Sequence, residues 1–410
     1  MTILLERLKS QVEELMAEEQ AGFRSDRNTT QQILILRLIG EKAKRKGKLI
    51  YNCFIDFQKA FDSVRHDILQ ATLKSFGVGR RLTQLLNYAC SEAKSAVRIG
   101  AEIGDWFQLL VGAKQGDPTS PTEFITYLER VMEKIRERKT GISIHGTLIN
   151  NLAFADDIDL IEEDIWNIQE NISILSKEGK AMGLKINRSK TKTMTFGEKT
   201  TTTAIVVNGE ELENVEEFVY LGSLLTWNND CGKEIGRRIT KAAGAMAAFG
   251  NIWKSREISI NTKIDIIKTC IFSILLYACE TWTLRKREIN RLMAFEMRCY
   301  RRILHIRWEQ RVTNLEVRIR VGNSKNIKQM IMERKLKFFG HVCRMDNNRL
   351  IKQVIFGMMD GTGIRGRPCR EWLDDITDWC GMEIHELSRI AYERDTWRQM
   401  VKHAIDTNGH

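Results

Sequence analysis

Two adjacent carboxylates, Asp156 and Asp157, are the residues of this chain most suited to chemistry. The apolar residues Leu152, Ala153 and Phe154 lead into them, and the alternating run Ile158-Asp159-Leu160-Ile161 leads out. That pattern predicts strand, tight turn and strand, with the acid pair at the tip. Like charges side by side repel, so a fold that keeps them together calls for a compensating cation. Hard oxygen donors suit Mg²⁺, which retains waters and binds through carboxylates together with substrate phosphates. A lone Asp-Asp pair fits a solvated surface turn better, and only a third carboxylate from elsewhere changes that reading.

Asp56 is that third carboxylate. It ends a β-rich apolar run over residues 49–55, and the helical pattern Ile68, Leu69, Leu73, Phe76 follows. By itself, Asp56 reads either as a helix N-cap or as a catalytic acid at the exit of a buried strand. Two strands delivering acids to one sheet edge is what a two-metal phosphoryl-transfer site needs, with ions about 3.5–4 Å apart. Between the acids lies the loop Gly112-Ala113-Lys114-Gln115-Gly116-Asp117-Pro118-Thr119-Ser120-Pro121, which holds two of the three prolines in the chain. Proline fixes φ and glycine frees it, so the segment is a defined loop. Phe124, Tyr127, Leu128, Val131 and Met132 then recur at helical spacing, and the start of such a helix offers backbone N–H groups to phosphates.

The order Phe-Ile-Asp56-Phe-Gln-Lys-Ala-Phe61-Asp, then Gln115-Gly-Asp-Pro-Thr-Ser-Pro121, then Phe154-Ala-Asp-Asp157 resembles the reverse transcriptases of non-LTR (LINE-type) retrotransposons. Three more motifs stand in register with that family: Gln20-Ala21-Gly22-Phe23-Arg24, Gly183-Leu184-Lys185-Ile186-Asn187 running on to Lys190, and Tyr220-Leu221-Gly222-Ser223. Six ordered motifs over about half the chain are far more specific than any single match. Gly340-His341-Val342 and Arg365-Gly366-Arg367-Pro368 resemble the RTE-like branch.

The resemblance implies a role for each matched residue. Asp56 and Asp156 would hold two Mg²⁺ ions, with Mn²⁺ as the alternative metal, and Asp157 would complete the metal site. Lys190 would protonate or neutralise the leaving pyrophosphate. Its plain alternative is a solvated lysine. Phe57, Phe61, Gln115 and Gly116 would bind the incoming nucleotide, with Phe61 excluding a 2′-hydroxyl. Arg24, Tyr220, Leu221 and Gly222 would contact nucleic acid. The partners implied are an RNA template, a DNA primer and dNTPs. Where the family loop reads closer to Gln-Gly-Cys-Pro-Leu-Ser-Pro, this chain has Asp117 and Thr119, and an added carboxylate there would repel a phosphate-rich substrate. No counterpart of the family's upstream basic motif or endonuclease domain is found, so a chain truncated at its N-terminus is expected.

Composition agrees with a nucleic-acid partner. Lys plus Arg is 64 against 53 acids, a net charge of +11. Residues 233–307 carry 16 basic and 6 acidic side chains. Eight of the bases fall between Arg285 and Arg307, among them Lys286, Arg287 and Arg291, with Trp282, Tyr300 and Trp308 interleaved. Such a face binds phosphates with strong salt dependence.

The expected fold class is α+β, a right-hand polymerase palm. Residues 1–200 would form partial fingers and palm, 201–232 a hairpin that grips the primer, 233–310 a basic helical thumb and 311–410 a helical basic C-terminal region. The polar stretch 200–203 reads as a linker. Residues 264–279 are apolar but interrupted by Lys268 and too short to span a membrane, so a core helix is expected. Nine scattered cysteines without a disulfide framework and the lack of a signal peptide point to a reducing, intracellular setting, nuclear or in a cytoplasmic ribonucleoprotein. His341, Cys343, Cys369, Cys380 and His385 fit no compact zinc spacing, and no zinc is expected. Oligomeric state is not legible.

Overall fold

The computed structural model describes residues 1–114, 116–199, 204–322, 325–364 and 369–408. The chain divides into two compact units. The first comprises Met1–Ile35, Lys42–Leu221 and Phe356–Ile364, and the second Leu36–Glu41, Gly222–Ile355 and Arg365–His410.

The first unit is built on a five-stranded sheet. Among its elements, in chain order, are α1 (Thr2–Val12), the ends of α2 (Thr29–Lys46, whose residues Leu36–Glu41 count with the second unit), β1 (Ile50–Ile55), α3 (His66–Ser75), α4 (Arg80–Ser91), α5 (Ser120–Arg136), β2 (Asn151–Phe154), β3 (Asp157–Glu162), α6 (Ile165–Ala181), β4 (Lys192–Phe196) and β5 (Glu213–Asn214). The spatial order is β5-β4-β1-β3-β2. Strand β1 is therefore central, which is why its run is apolar on both faces and buried almost throughout. It runs antiparallel to β3 with Ile55 opposite Ile158, and antiparallel to β4 with Phe54 opposite Lys192. One step along the first register, Asp56 falls opposite Asp157. Helices α5 and α6 bury Phe124, Leu128, Val131 and Ile135, and Ile168, Ile172 and Leu175, in one core with Cys53, Ile55, Ile158 and Leu160 of the sheet. Each such side chain contributes about 1.5–3 kcal/mol on burial, so the core holds the strand ends rigidly. Local signals set the entry to β1: the Asn28 side chain caps α2 by accepting from the Gln31 N–H, and Gly47, at φ 65°, ends it.

The second unit is helical, as expected for residues beyond 233. It includes α7 (Cys231–Ala248), α8 (Lys286–Ile303), α9 (Asn314–Arg320), α10 (Ile327–Cys343) and α11 (Trp372–Cys380). The apolar stretch 264–279 is not one helix. An α-helix, Ile260–Ile266, passes through a π-helical turn, Ile267–Ile271, to Phe272–Leu275, and Ala278 at φ 54° breaks it. Among the described residues no helix is long and apolar enough to cross a membrane. Lys335 sits fully buried at the centre of this unit, 2.6 Å from Asp375, donating to the Trp282 carbonyl at 2.9 Å and facing the Trp372 ring. Arg370 and the Leu284 N–H complete the partners of Asp375. Every strong polar atom of the pair is thus satisfied, the condition under which a buried ion pair is tolerated.

Glu41 joins the same unit by accepting from the Trp372 N–H and the Thr283 hydroxyl. Burial pushes its carboxyl up to about 7, with Glu371 adding to the shift and the Trp372 N–H and Lys335 opposing it. A folded-state pKa above the unfolded one means that this group favours folding most at low pH. Its contribution then falls as pH rises from about 4.5 to about 7. Glu41→Gln keeps an acceptor for Trp372 and removes the buried charge. It is expected to match the parent chain in urea unfolding at pH 5 and to exceed it by about 1–2 kcal/mol at pH 8.

Candidate active site

Strands β2 and β3 meet in a two-residue turn, with Phe154 opposite Asp157 and Ala155-Asp156 between them. Ala155 takes φ 60°, a left-handed conformation that a non-glycine residue adopts at a cost and that the surroundings must enforce. The enforcing group is Gln20. Its side-chain oxygen accepts from the Ala155 N–H at 2.9 Å and from the Gly22 N–H at 2.8 Å, and its amide nitrogen donates to the Ala155 carbonyl at 3.3 Å. Alongside, the Ala21 N–H bonds the Ala153 carbonyl and the Ala153 N–H bonds the Glu19 carbonyl, so residues 19–21 cover the free edge of β2. Gly22 makes this approach possible: a Cβ there would lie 2.2 Å from the Ala155 nitrogen. Sequence reading marks the Gln20-Gly22 block only as a motif, and its mechanical use is visible only in three dimensions.

Asp56 is fixed by its backbone. Its N–H donates to the Thr191 hydroxyl at 3.2 Å, and its carbonyl accepts from the Asn187 N–H at 2.7 Å. Thr191 and Asn187 belong to the lysine motif, so that motif places Asp56 as well as Lys190. The Lys190 ammonium is largely exposed and stands 3.7 Å from the Asp56 carboxylate. Burial raises the Asp156 carboxyl above its ordinary range, and the like charge of Asp56 adds to it while the Asp156 backbone N–H and Lys190 oppose. Asp157 is pushed up to about 6 by burial, then by Asp156 and Asp56, against Lys190. The Asp56 Oδ2 atom is buried without a hydrogen-bond partner.

The three acids thus share one sheet edge, short of cation. Among the described residues no three His, Cys, Asp or Glu side chains form a preassembled metal cage. The donor set fits a hard ion that binds through one or two carboxylates and keeps the rest of its shell for water and phosphate oxygens. Beside Asp56, a groove is lined by Lys59, Arg65, Lys185 and Lys190 together with Asp62 and Asn187, four cations to one anion.

Phe61 stacks on Phe124 at 4.3 Å and meets Phe23 edge-on at 6.2 Å, forming an aromatic wall. Its carbonyl accepts from the Ala113 N–H at 2.7 Å, tying the proline-containing loop to the residues that follow Asp56. Gly116 takes φ 83° with open space where a Cβ would be. Gln115 lies outside the described residues, as do Arg365, Gly366, Arg367 and Pro368 and the expected linker 200–203. Asp117 and Thr119, the two departures from the family loop, form one device. The Asp117 carboxylate accepts from both the Thr119 N–H and its hydroxyl at 2.9 Å, just before α5. The Asp117 carboxylate is thus engaged in the turn before α5, and its charge adds to burial in raising the neighbouring Glu123 carboxyl.

Three expected contacts are placed differently. Arg24 is buried, its guanidinium bonded to the Gln20 and Ala17 carbonyls and paired with Glu13, so it ties the N-terminal segment together and presents nothing to nucleic acid. Phe57 is 5% exposed and packs in the core, at the floor of the groove beside Asp56. Tyr220 is 3% exposed, with its ring 5.8 Å from Phe54. The turn that follows takes Leu221 to φ 44° and Gly222 to φ 79°, and the Gly222 carbonyl accepts from the Arg237 guanidinium at 2.7 Å. By contrast Arg285, Lys286, Arg287 and Arg291 are all exposed in the second unit, Arg285 lying 3.6 Å from Asp230 and Arg291 donating to the Gly232 carbonyl. Gly340 of α10 is explained by packing: a Cβ there would lie 2.1 Å from the Trp397 indole nitrogen.

Comparison with known proteins follows this geometry. Residues 2–225 match the family described as reverse transcriptase (RNA-dependent DNA polymerase). The chain is 27% identical to a transposon-derived protein of Caenorhabditis elegans over 63% of its own length and 97% of that protein. It is 23% identical to the Pol polyprotein of the type-1 retrotransposable element R2 of Popillia japonica, over 72% of this chain and 49% of the polyprotein. It is 24% identical to the RNA-directed DNA polymerase of the mobile element jockey of Drosophila funebris, over 74% and 33%. The chain therefore spans about half of the R2 polyprotein and a third of the jockey polymerase. Among solved structures, a Candida tropicalis telomerase in complex with a fragment of telomeric RNA aligns with TM-score 0.42 and 14% identity, over 87% of this chain and 56% of that one. With the acid-bearing sheet edge and the family match covering more than half its length, the chain belongs to the reverse transcriptase (RNA-dependent DNA polymerase) family.

Proposed function

We propose that the chain is an RNA-directed DNA polymerase of a non-LTR retrotransposon, extending a DNA primer on an RNA template with dNTPs. The observation that carries this reading is the convergence of three acids: Asp56 follows Ile55, which lies opposite Ile158, its charge helps raise both Asp156 and Asp157 at the adjoining turn, and Lys190 stands beside it. Asp56 and Asp156 would hold two Mg²⁺ ions, Mn²⁺ serving as the alternative, and Asp157 would add to the negative field that retains them. Bound metal supplies Lewis-acid activation of the primer 3′-hydroxyl and neutralises charge on the phosphates. The remaining work belongs to the chain's own groups. The sheet fixes the carboxylates before substrate arrives, which spares reorganisation in the transition state. Lys190 delivers a proton or positive charge to the leaving pyrophosphate. The Phe23-Phe61-Phe124 wall presents Phe61 to the sugar, where its ring would exclude a 2′-hydroxyl, and the cationic groove beside Asp56 would favour polyphosphate. Residues 1–200 would act as partial fingers and palm, 201–232 as the primer grip, 233–310 as the thumb and 311–410 as a further basic helical region. Arg285, Lys286, Arg287 and Arg291 would meet the backbone of the template–primer duplex. All nine cysteines are free, which suits a reducing compartment, the nucleus or a cytoplasmic ribonucleoprotein.

The direct test is Mg²⁺-dependent extension of a labelled DNA primer on an RNA template by the purified chain. Extension by successive dNTPs, abolished by EDTA, is expected. Salt-sensitive RNA binding without any extension would instead make the chain a non-catalytic nucleic-acid-binding member of the family.

A further inference from the structure

The second unit carries a loop, residues 304–312, that joins α8 to α9 and holds Trp308 at 86% exposure, the highest among its exposed large apolar side chains. An indole left in water costs free energy unless something covers it. This one is not a loose side chain on a loose loop. The Ile306 N–H bonds the Arg301 carbonyl at 3.0 Å, and the Arg311 N–H bonds the Trp308 carbonyl at 3.2 Å. The Arg307 N–H donates to the Gln310 side chain at 2.9 Å, and the Arg301 guanidinium reaches across to the Val312 carbonyl at 3.0 Å. Two non-glycine residues, His305 at φ 54° and Arg311 at φ 48°, are held left-handed on either side of the indole. Both stand at helical C-termini, where left-handed residues are common, and they fix the course of the loop.

The charge around the loop identifies what it fits. Residues 298–320 contain seven arginines, no lysine and two acids, Glu309 and Glu316. Glu316 is engaged in capping α9, where it accepts from the Thr313 N–H at 2.7 Å. Arg298, Arg302, Arg307, Arg311 and Arg320 are exposed. Guanidinium groups bind phosphate oxygens through paired N–H donors and stack on planar rings. An aromatic ring flanked by such groups matches a strand whose bases are free to stack and whose phosphates lie alongside. A paired duplex hides its base faces, so a stacking ring selects unpaired nucleotides. Leu315 and Ile319, also exposed on α9, would suit a protein partner, but a protein surface rarely offers anions dense enough to meet five arginines.

We infer that Trp308, flanked by Arg307 and Arg311, is a stacking site for an unpaired base of single-stranded RNA. The inference rests on the reading of the chain as an RNA-copying polymerase and names where unpaired template is held.

The test is equilibrium binding of the full chain to a labelled 20-nucleotide single-stranded RNA, followed by fluorescence anisotropy. Trp308→Ala is expected to weaken binding about tenfold, while Trp308→Phe, which keeps a stacking face, stays within about threefold. An RNA of the same length lacking bases is expected to bind the parent chain and Trp308→Ala equally, and blunt duplex RNA should also not distinguish them. Unchanged melting temperatures establish that the variants fold. Equal binding of the base-bearing RNA by Trp308→Ala would overturn the inference, as would equal losses on duplex or failure of Trp308→Phe to rescue. A Trp308-dependent preference for single-stranded DNA over RNA would overturn the assignment to template. Unchanged RNA binding accompanied by altered self-association would reassign the face to protein packing. Binding needs no catalysis, so a Trp308 effect in a chain that extends no primer would leave this site standing and remove only the polymerase reading.

Discussion

Asp156→Asn should reduce primer extension by about a thousandfold while leaving RNA affinity within twofold of the parent chain. The size follows from the geometry. Asp156 stands at the tip of the β2–β3 turn and Asp56 just past the end of β1, near enough that the Asp56 charge helps raise the Asp156 carboxyl. Removing one charged ligand forfeits several kcal/mol of transition-state charge stabilisation, and each 1.4 kcal/mol or so is tenfold in rate. Asparagine keeps the shape of the turn and one acceptor oxygen, so loss of activity would report charge and not collapse. The same substitution removes one of three like charges that burial and mutual repulsion already disfavour. Its metal-free melting temperature should therefore equal or exceed that of the parent chain. A variant that lost activity and also melted lower would show that Asp156 is structural. Retained extension would sink the assignment of this edge as the catalytic site.

The acids were legible because chemistry of this kind needs one residue type at fixed strand ends, and both strands carry their own periodicity. The palm was legible for the same reason: the apolar run of β1, the alternation of β3 and the helical spacing of α5 survive as local signals. Register was not legible. Nothing in residues 49–55 says which of their neighbours lies beside them, and the approach of Asp56 to Asp157 emerges only when β1 is enclosed between β3 and β4. The misplaced contacts have one cause. Arg24, Phe57 and Tyr220 belong to motifs that are functional as units, and sequence does not say which way a side chain within a motif points. Arg24 turns inward because three carbonyl and carboxylate acceptors near Ala17, Gln20 and Glu13 meet it there. Asp117 adds a local case: with Thr119 two positions on, its carboxylate also closes a turn that no periodicity announces. Gln20, Asn187 and Thr191 lie in or beside the matched motifs, but their role was not legible: they act on backbone atoms of the catalytic segments, a use that leaves no periodicity and no distinctive composition.

The second large effect belongs to Gly22 and Gln20, neither of which would touch substrate or metal in the proposed reaction. A methyl group at position 22 would lie 2.2 Å from the Ala155 nitrogen and 2.9 Å from the Phe154 carbonyl carbon, distances that demand movement of backbone on both sides. The N-terminal segment is pinned by the Arg24 guanidinium, and the turn by the β2–β3 ladder, so the clash in Gly22→Ala must displace the tip that carries Asp156. A displacement of about 1 Å in a positioned group can cost about a hundredfold in rate. Extension by Gly22→Ala is accordingly expected to fall by about that factor. Gln20→Ala removes the acceptor for two buried N–H groups, at about 1–3 kcal/mol for each group left unpaired, and frees Ala155 to leave its left-handed conformation. Because it leaves the carboxylates themselves in place, the deficit should appear mainly in kcat, with KM for dNTP changing by less than threefold, and should shrink as Mg²⁺ is raised. Gln20→Glu supplies the acceptor but not the donor to the Ala155 carbonyl, and should recover part of the rate. A purely structural role would show itself differently, as a lowered melting temperature with kcat per folded molecule unchanged at every Mg²⁺ concentration. A kcat that responds to Mg²⁺, in a chain whose ligands are all intact, places the control of the metal site in a buried amide on the far side of the turn.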